Sequence, residues 1–357
     1  MKNRLHLIII VVTFFFLSNC QTDQNNKSQQ NNTRIINIKG ESILKKEYGA
    51  MSIAVVDTLI LVYIKGSKDF YHIYNANTLN YIGRLGKRGN GPSEWSAPHY
   101  SGQYIKTDSA ILIWINDVFK YRFMLVNVTK SLKQNIPVVE KEYRHSPNFY
   151  LTQDLLYVND FKLVGTLGMD AIEKGRLCLY NPILNSVQIT NLFPKISNQN
   201  NFNTYDLYQI YFDDIRLKPD RSLLVSAMNT FDRIDIFDTT GNVIKSIIGN
   251  EVKIDGIKNK KNSELVGLTS YYEDIYLSDE YIYTLYYNQP VKDYGEIFIP
   301  TEIRVFDYTG NQLFCLKTED YLMTFSVDEN NGWIYGVDYF NEKILKYNIQ
   351  GIFTDDK

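Results

Sequence analysis

The chain has 357 residues, which is enough for two average domains or for one large all-β domain. Its hydrophobic content of 44% can supply a core, and its 28 tyrosines and 19 phenylalanines favour β-strands over helices. The formal net charge of -2 excludes nucleic acid as a partner, because phosphate binding needs a basic surface.

The first 20 residues have the pattern of an export signal. Lys2 and Arg4 precede a mostly apolar run, 5–17, and Leu-Ser-Asn leads into Cys20. This run is shorter than the roughly 20 residues that cross a bilayer core, which disfavours a membrane-spanning anchor. Cleavage directly before Cys20 resembles the processing of bacterial lipoproteins. The resemblance implies that residues 1–19 are removed and that Cys20 carries the lipid; plain secretion or a retained anchor is the alternative.

A polar segment follows the cysteine. Of residues 21–33, eight of 13 are Gln or Asn, and no apolar periodicity is visible. Such a segment cannot bury a core, so we expect residues 20–33 to form a flexible tether with an average reach of about 20 Å. The folded part then runs from 34 to 357 as a single domain.

Two cysteines remain beyond Cys20. Cys178 and Cys315 both lie inside apolar, strand-like segments. They could pair with each other, but two buried free thiols are the favoured interpretation. No cysteine or histidine spacing matches a metal site, and His72, His99 and His145 are scattered, so the sequence predicts no metal and no cofactor.

A repeated hairpin sequence indicates the architecture. Residues 234–242 and 303–311 are identical at six of nine positions, and each joins an alternating strand to a turn with Asp and Gly-Asn. Six strands end in an apolar residue followed by Asn or Asp: Asn75, Asn127, Asn181, Asp238, Asp307 and Asn348. Six further aspartates open an apolar run ahead of these strands: Asp57, Asp108, Asp154, Asp220, Asp279 and Asp328. The residues of the two sets alternate along the chain, one of each per repeating unit. Each unit has about the length of a four-stranded propeller blade.

Six such units predict an all-β fold, a six-bladed β-propeller. The chain ends soon after the third strand of unit six, so this blade lacks its outer strand. Residues 34–38, Arg-Ile-Ile-Asn-Ile, are unassigned, and we expect them to complete the last blade and close the ring. Two stacked sandwiches are the alternative, which six evenly phased units disfavour.

The connector between units one and two carries a glycine-rich motif. Its characteristic residues are Gly83, Gly86, Gly89, Gly91, Pro92, Glu94 and Trp95. This motif resembles the connector of NHL-like and TolB-like six-bladed propellers, and with the lipoprotein signal the chain looks most like the TolB-like propeller lipoproteins of Gram-negative bacteria. The resemblance implies an envelope location and a binding role.

Few residues stand out as candidate sites. The glycine-rich connector lacks the Ser or Thr and the helix of a P-loop, but Lys87 and Arg88 could contact an anion there. Asp213 and Asp214 are candidate acids at the mouth of the channel, with a solvated turn as the alternative. Three hydroxyl residues at Asp-Ser or Asp-Thr turns resemble acceptors of bacterial O-glycosylation: Thr58, Ser109 and Thr239.

Several features have an ordinary structural explanation beside a functional one. Residues 326–333 resemble the Asp-box turn of sialidase-type propellers, which is structural there. The insertions 250–263 and 288–301 could carry binding residues or be variable loops.

The leading functional hypothesis is a lipid-anchored binding module of the cell envelope, in the outer membrane of a Gram-negative bacterium. Its partners would be the membrane, through the lipid, and a glycan, peptide or protein ligand. The alternative is an extracytoplasmic lyase or hydrolase with its site at the channel mouth, and a third hypothesis is a scaffold in an outer-membrane assembly. Acids and histidine converging on one channel end would favour catalysis.

Overall fold

Strands with alternating apolar residues dominate the computed structural model, which describes residues 33–145, 151–196, 199, 202–249, 258–260, 264–291, 297 and 299–353. The predicted signal, Cys20 and the tether up to residue 32 lie outside the described residues. The described chain begins with two short strands, β1 (Arg34–Asn37) and β2 (Gly40–Ile43). Six sheets then follow in chain order.

The first three blades are four-stranded antiparallel meanders. Blade one contains β3 (Ala50–Val56), β4 (Leu59–Ile64), β5 (Asp69–Asn75) and β6 (Tyr81–Lys87). Blade two contains β7 (Pro98–Lys106), β8 (Ile111–Asp117), β9 (Arg122–Asn127) and β10 (Val139–Arg144), with the helix α1 (Val128–Gln134) before its last strand. Blade three contains β11 (Leu151–Asn159), β12 (Lys162–Leu167), β13 (Leu177–Asn181) and β14 (Ser186–Thr190). Short 3-10 helices span Val118–Lys120 and Met169–Lys174.

The last three blades repeat this plan with additions. A second helix, α2 (Thr204–Ile210), precedes blade four, which contains β15 (Asp213–Leu217), β16 (Leu223–Met228), β17 (Arg233–Asp238) and β18 (Val243–Ile248). A small hairpin, β19 (Lys258–Lys260) and β20 (Glu264–Val266), lies in the next connector. Blade five contains β21 (Thr269–Leu277), β22 (Tyr281–Pro290), β23 (Glu302–Asp307) and β24 (Gln312–Lys317). Blade six contains β25 (Thr324–Asp328), β26 (Trp333–Asp338) and β27 (Lys343–Asn348).

A separate hydrophobic core fills each gap between neighbouring blades. Between blades one and two, for example, Leu61 packs in one cluster with Ile113 and Met124. Corresponding clusters join blades two and three, three and four, four and five, and five and six. The sixth cluster joins Tyr335 of blade six to Val62 of blade one. Six cores for six gaps close the ring, which confirms the predicted six-bladed propeller.

An N-terminal strand completes blade six, as predicted, but it is not the segment 34–38. Strand β2 pairs antiparallel with β27, with Gly40 opposite Tyr347 and Ile43 opposite Ile344. Strand β1 instead pairs parallel with β24, so it adds a fifth strand to blade five. The strand that completes blade six must lead directly into β3, the first strand of blade one. Only residues 40–43 directly precede the link to β3.

The predicted turn residues follow the blades with one exception. All six Asn or Asp residues of the first set end the third strand of a blade. In the second set, five aspartates lie at the turn between first and second strands, but Asp154 lies inside β11. Asp160, between β11 and β12, occupies the equivalent turn. The assignment of Asp154 was wrong because a buried aspartate before an apolar run has the same local pattern as a turn aspartate.

The ring has two distinct faces. We call the face with the turns between first and second and between third and fourth strands the turn face. The opposite face, with the connectors between blades and the loops between second and third strands, is the loop face. Within the described residues, no helix has the length and apolar character needed to cross a membrane.

Candidate functional site

The first strands of the blades surround the central channel, and a charged network crosses it. Arg216 of β15 lies with Nη1 3.2 Å from Asp154 Oδ1 of blade three and with Nη2 3.5 Å from Asp274 Oδ1 of blade five. His99 of blade two lies with Nε2 3.2 Å from the same Asp154 oxygen. The Thr324 hydroxyl of blade six donates to Asp274 Oδ2 at 2.6 Å. Side chains from five of the six blades therefore meet in one network.

Burial and neighbouring charges shift the pKa values of the acids in and beside this network, some upwards and one downwards. Burial acts to raise the pKa of Asp154, but the charge of Arg216 and the contact with His99 outweigh it and hold that pKa below its ordinary value. Burial raises the pKa of Asp274, although Arg216 and Thr324 act against this. Burial, followed by the charge of Asp154, raises the pKa of Asp214 well above its ordinary value.

The network is better suited to joining blades than to chemistry. The carboxylate of Asp274 accepts hydrogen bonds from Thr324 and from the backbone of Phe325 and Ile275, so its oxygens are occupied. The space beside Asp154 and Asp213 measures about 10 Å³, which is room for about one water molecule. Within the part of the chain that the structure describes, no group of three or more metal-binding side chains is arranged to hold a metal ion.

The two candidate channel acids have different surroundings. Adjacent residues of a strand point to opposite sides, so Asp213 and Asp214 of β15 cannot share one site. Asp214 lies on the side of Arg216. Asp213 accepts hydrogen bonds from Arg176 Nε at 2.9 Å and from Ser226 Oγ at 2.6 Å, and Arg176 also pairs with Asp235. Burial raises the pKa of Asp213, with Arg176 acting against it. Asp213 therefore belongs to a buried link between blades three and four.

The glycine-rich connector forms a tight loop against blade two. Gly86 has φ of 77°, and a Cβ there would lie 2.0 Å from the ring of Trp95, which is buried. Glu94 accepts a hydrogen bond from the Gly91 amide at 2.9 Å. Gly83 and Gly89 likewise leave no room for a side chain, and Pro92 accepts from Arg122. The motif thus stabilises the connector's own conformation.

The candidate anion contacts already have partners within the chain. Lys87 forms an ion pair with Glu94. The Arg88 guanidinium carbon lies 3.9 Å from the centroid of the Phe70 ring, and its Nε donates to the Ser67 carbonyl at 3.2 Å. An anion would have to compete with these contacts.

The other predicted residues lie apart from the channel network. Thr58 and Ser109 are exposed and Thr239 is half-buried, all at turns of the turn face. Cys178 and Cys315 are buried and free, which confirms the expectation of two buried thiols. Burial raises their pKa values to about 12 and about 11.

The two long insertions are described only in part. Hairpin strand β19 lies within 250–263, and β22 extends into 288–301 as far as Pro290. The rest of each insertion lies largely outside the described residues, and both belong to the loop face.

A cavity of about 540 Å³ opens on the turn face between blades six and one. We call it the seam cavity. Three chain segments line it: the turn after β5, the turn between β25 and β26, and the segment after β27. Its volume lies within the range of about 300–1,000 Å³ that is typical of small-molecule sites.

The walls of the seam cavity combine amides, two aromatic rings and one charge of each sign. The amides are Asn77, Asn330, Asn331 and Gln350, the rings are Trp333 and Phe353, and the charges are Lys346 and Glu329. The Lys346 ammonium lies 3.7 Å from the centroid of the Trp333 ring. Burial lowers the pKa of Lys346.

The sequence singled out one segment of this cavity, as a structural turn and not as part of a binding site. The turn 326–333, with its resemblance to an Asp-box, supplies Asn330, Asn331 and Trp333. Asp328 holds this turn by accepting hydrogen bonds from the Asn331 backbone at 3.2 Å and from its amide at 2.8 Å. The other walls carry no local motif, because they come together only when the ring closes.

Comparisons with known proteins place the chain among propellers. Residues 20–330 match the model of the family described as "TolB-like 6-blade propeller-like". No curated protein matches the chain.

Three solved structures are similar to the chain. A member of the DUF4221 family from Bacteroides vulgatus ATCC 8482 is 10% identical, with a TM-score of 0.53 over 87% of this chain and 95% of that one. The Cps50 (Swd1) β-propeller domain of Myceliophthora thermophila is 12% identical, with a TM-score of 0.45 over 87% and 98%. Raptor of Chaetomium thermophilum is 11% identical, with a TM-score of 0.48 over 85% of this chain and 28% of that one.

At 10% identity the DUF4221 structure bears on the fold alone, and the two structures with TM-scores below 0.5 carry no argument. The family match has greater weight, because it extends from Cys20 into the turn between β25 and β26 of the last blade. The chain belongs to the TolB-like 6-blade propeller-like family.

Proposed function

We propose that this chain is a lipid-anchored, extracytoplasmic binding module that holds its ligand in the seam cavity. The observation that carries the proposal is the cavity itself, which has the volume of a ligand site and walls of mixed polar and aromatic character. Its walls come from two rigid blades, so the site is largely formed before a ligand arrives.

The sequence supports the location. The signal pattern ending at Cys20 predicts acylation, and several acyl chains on one residue would hold the protein stably on a membrane. The resemblance to TolB-like lipoproteins suggests the outer membrane of a Gram-negative bacterium.

Metabolic labelling tests the anchor. The protein is expressed in a Gram-negative host with an alkyne analogue of palmitate, and wild type is compared with Cys20→Ala. We expect label and detergent-phase partition in the wild type and neither in the variant. A label that persists in C20A, or a wild type without label, would contradict the anchor.

A pair of blocking variants tests the binding role. Asn77 and Asn80 are both exposed on the turn after β5, but only Asn77 lines the cavity. The full-length protein in detergent is tested by fluorescence titration against separate sets of oligosaccharides and peptides. Asn77→Tyr should abolish binding that Asn80→Tyr retains. A site elsewhere is indicated if both variants bind as the wild type does, and failure of every set to bind contradicts the module.

One observation favours an enzyme as the second candidate. The charge of Arg216 acts on both Asp154 and Asp214, yet their pKa values are moved in opposite directions, as in an acid and base pair. A lyase or hydrolase would use these two carboxylates. The 10 Å³ of space beside Asp154 argues against a substrate there.

A further inference from the structure

We infer that the seam cavity binds a neutral oligosaccharide. This inference rests on the proposed binding function and names the class of its ligand. It follows from three properties of the walls: the amide groups, the tryptophan and the balance of charge.

The side-chain amides offer the hydrogen-bond donors and acceptors that sugar hydroxyls require. Each side-chain amide offers donors and an acceptor in one plane, whereas a hydroxyl both donates and accepts. Within the described part of the chain, the side-chain amides of Asn77 and Asn330 have no hydrogen-bond partner. Gln350 donates to the Asn331 carbonyl at 3.1 Å, which leaves its carbonyl oxygen facing other partners. Two walls of the cavity thus present amides to a ligand.

Beyond the ring face that the Lys346 ammonium covers, Trp333 offers apolar surface for the carbon face of a sugar ring. Trp333 is half-buried at the start of β26, whereas Trp95 and Trp114 are each 1% exposed. Aromatic rings favour flat, partly apolar ligands, and a pyranose has one such face. A fully apolar ligand would leave the surrounding amides without partners, which costs binding free energy.

The charges favour a neutral ligand. Lys346 and Glu329 are the charged residues of the lining, and their charges cancel. Glu329 also accepts a hydrogen bond from the Tyr283 hydroxyl at 2.6 Å, so it is held in place. Recognition of a phosphate or a uronate would need an excess of positive charge. The walls have none within the described residues, which end at Phe353.

Close packing fixes the backbones of two lining segments relative to each other. Gly332 has φ of 69°, and a Cβ at this position would lie 2.4 Å from Gln350 Cγ. The close approach of these two segments depends on the absence of a side chain at residue 332. Pre-formed sites lose less conformational entropy when they bind.

The experiment uses the full-length acylated protein in detergent micelles. A glycan array of neutral and acidic oligosaccharides is followed by titration of tryptophan fluorescence with the neutral glycans that bind. We expect neutral glycans to bind and to change the fluorescence, because Trp333 is the accessible tryptophan. Trp333→Phe should remove the fluorescence change.

Single amide variants then locate the site. Asn77→Ala and Asn330→Ala should each weaken binding about fivefold, the effect of losing one hydrogen bond, and the double variant more than tenfold. Asn80→Ala on the same turn as Asn77 should bind as the wild type does. Thermal unfolding of each variant checks that the fold is retained.

The outcomes separate the two proposals. Binding of peptides or acidic glycans that depends on Asn77 would overturn the neutral saccharide and keep the binding module. Binding of neutral glycans that N77A and N330A leave unchanged would overturn the seam cavity as the saccharide site. Absence of any binding would overturn both.

Discussion

Replacing Arg216 with methionine tests whether the channel network joins the blades. Methionine keeps an unbranched side chain but removes the cation that contacts Asp154 in blade three and Asp274 in blade five. The two carboxylates then remain in the channel without this partner. The expected result is a large loss of stability with the same fold.

The size of the loss follows from burial. The side chain of Asp154 is 3% exposed and that of Asp274 is 12% exposed, so water replaces the guanidinium poorly. Removing one partner of a buried ion pair costs about 3–5 kcal/mol. Because Arg216 is itself 17% exposed, we expect the lower end, about 3 kcal/mol. With a urea dependence of about 3 kcal/mol per molar, the unfolding midpoint should fall by about 1 M.

The pH dependence has a definite sign. In the wild type the folded pKa of Asp154 is depressed, so its contribution is present above the unfolded pKa of about 3.9 and is lost as pH falls through the folded value. In R216M burial dominates and that pKa rises. The free energy of unfolding that R216M loses relative to the wild type should therefore be largest near pH 7 and become smaller towards pH 5. Urea unfolding at several pH values measures this difference.

Arg84→Met is the matched control. Arg84 is 56% exposed and lies 3.6 Å from Asp69, so losing this surface pair should cost less than about 1 kcal/mol at any pH. The reasoning is refuted if R216M unfolds within about 0.5 kcal/mol of the wild type, or if its deficit grows as pH falls.

Three further predictions concern the connector, the thiols and the closing strand. Gly86→Ala should destabilise the fold by about 2–4 kcal/mol in urea unfolding, because the new Cβ meets Trp95 at a positive φ; an unchanged midpoint would contradict this. Cys178 should not react with a thiol reagent at pH 8 until urea is added, since burial keeps it protonated; rapid labelling of the native protein would be contrary evidence. Deleting 34–37 should leave a soluble propeller, whereas deleting 40–43 exposes the edge of β27 and should cause aggregation in light scattering; equal solubility would argue against closure by β2.

Repeated local signals explain why the sequence predicted the blades. The third strand of every blade ends in Asn or Asp because its side chain caps the following turn. Asp238 accepts from Thr240 at 2.8 Å and from Asn242 at 3.0 Å, and Asp307 accepts from Thr309 and Asn311 in the same way. Such contacts span four residues at most, so they are visible in the sequence.

Long-range contacts explain the error in blade three. The charged partner of Asp154 is Arg216, 62 residues later in the chain. No local pattern distinguishes an aspartate that faces this partner in the neighbouring blade from one that caps a turn. Successive side chains of a β-strand point to opposite faces. The sequence could therefore have shown that Asp213 and Asp214 face opposite sides, because they are neighbours in one predicted strand.

The seam cavity could not be predicted from any single segment. Its walls come from the turn after β5, from 329–333 and from residues after β27, which are up to about 275 residues apart. The distance in sequence is bridged by β2, whose pairing with β27 closes the ring. The cavity therefore forms only when the ring of blades closes.

The first described residue, Thr33, lies on the same face of the ring as the seam cavity. Strand β24 runs from the turn face to the loop face, and β1 pairs parallel with it, so Thr33 lies at the turn face, where its hydroxyl donates to the Gln312 carbonyl at 3.1 Å. The described chain therefore begins on the face on which the seam cavity opens.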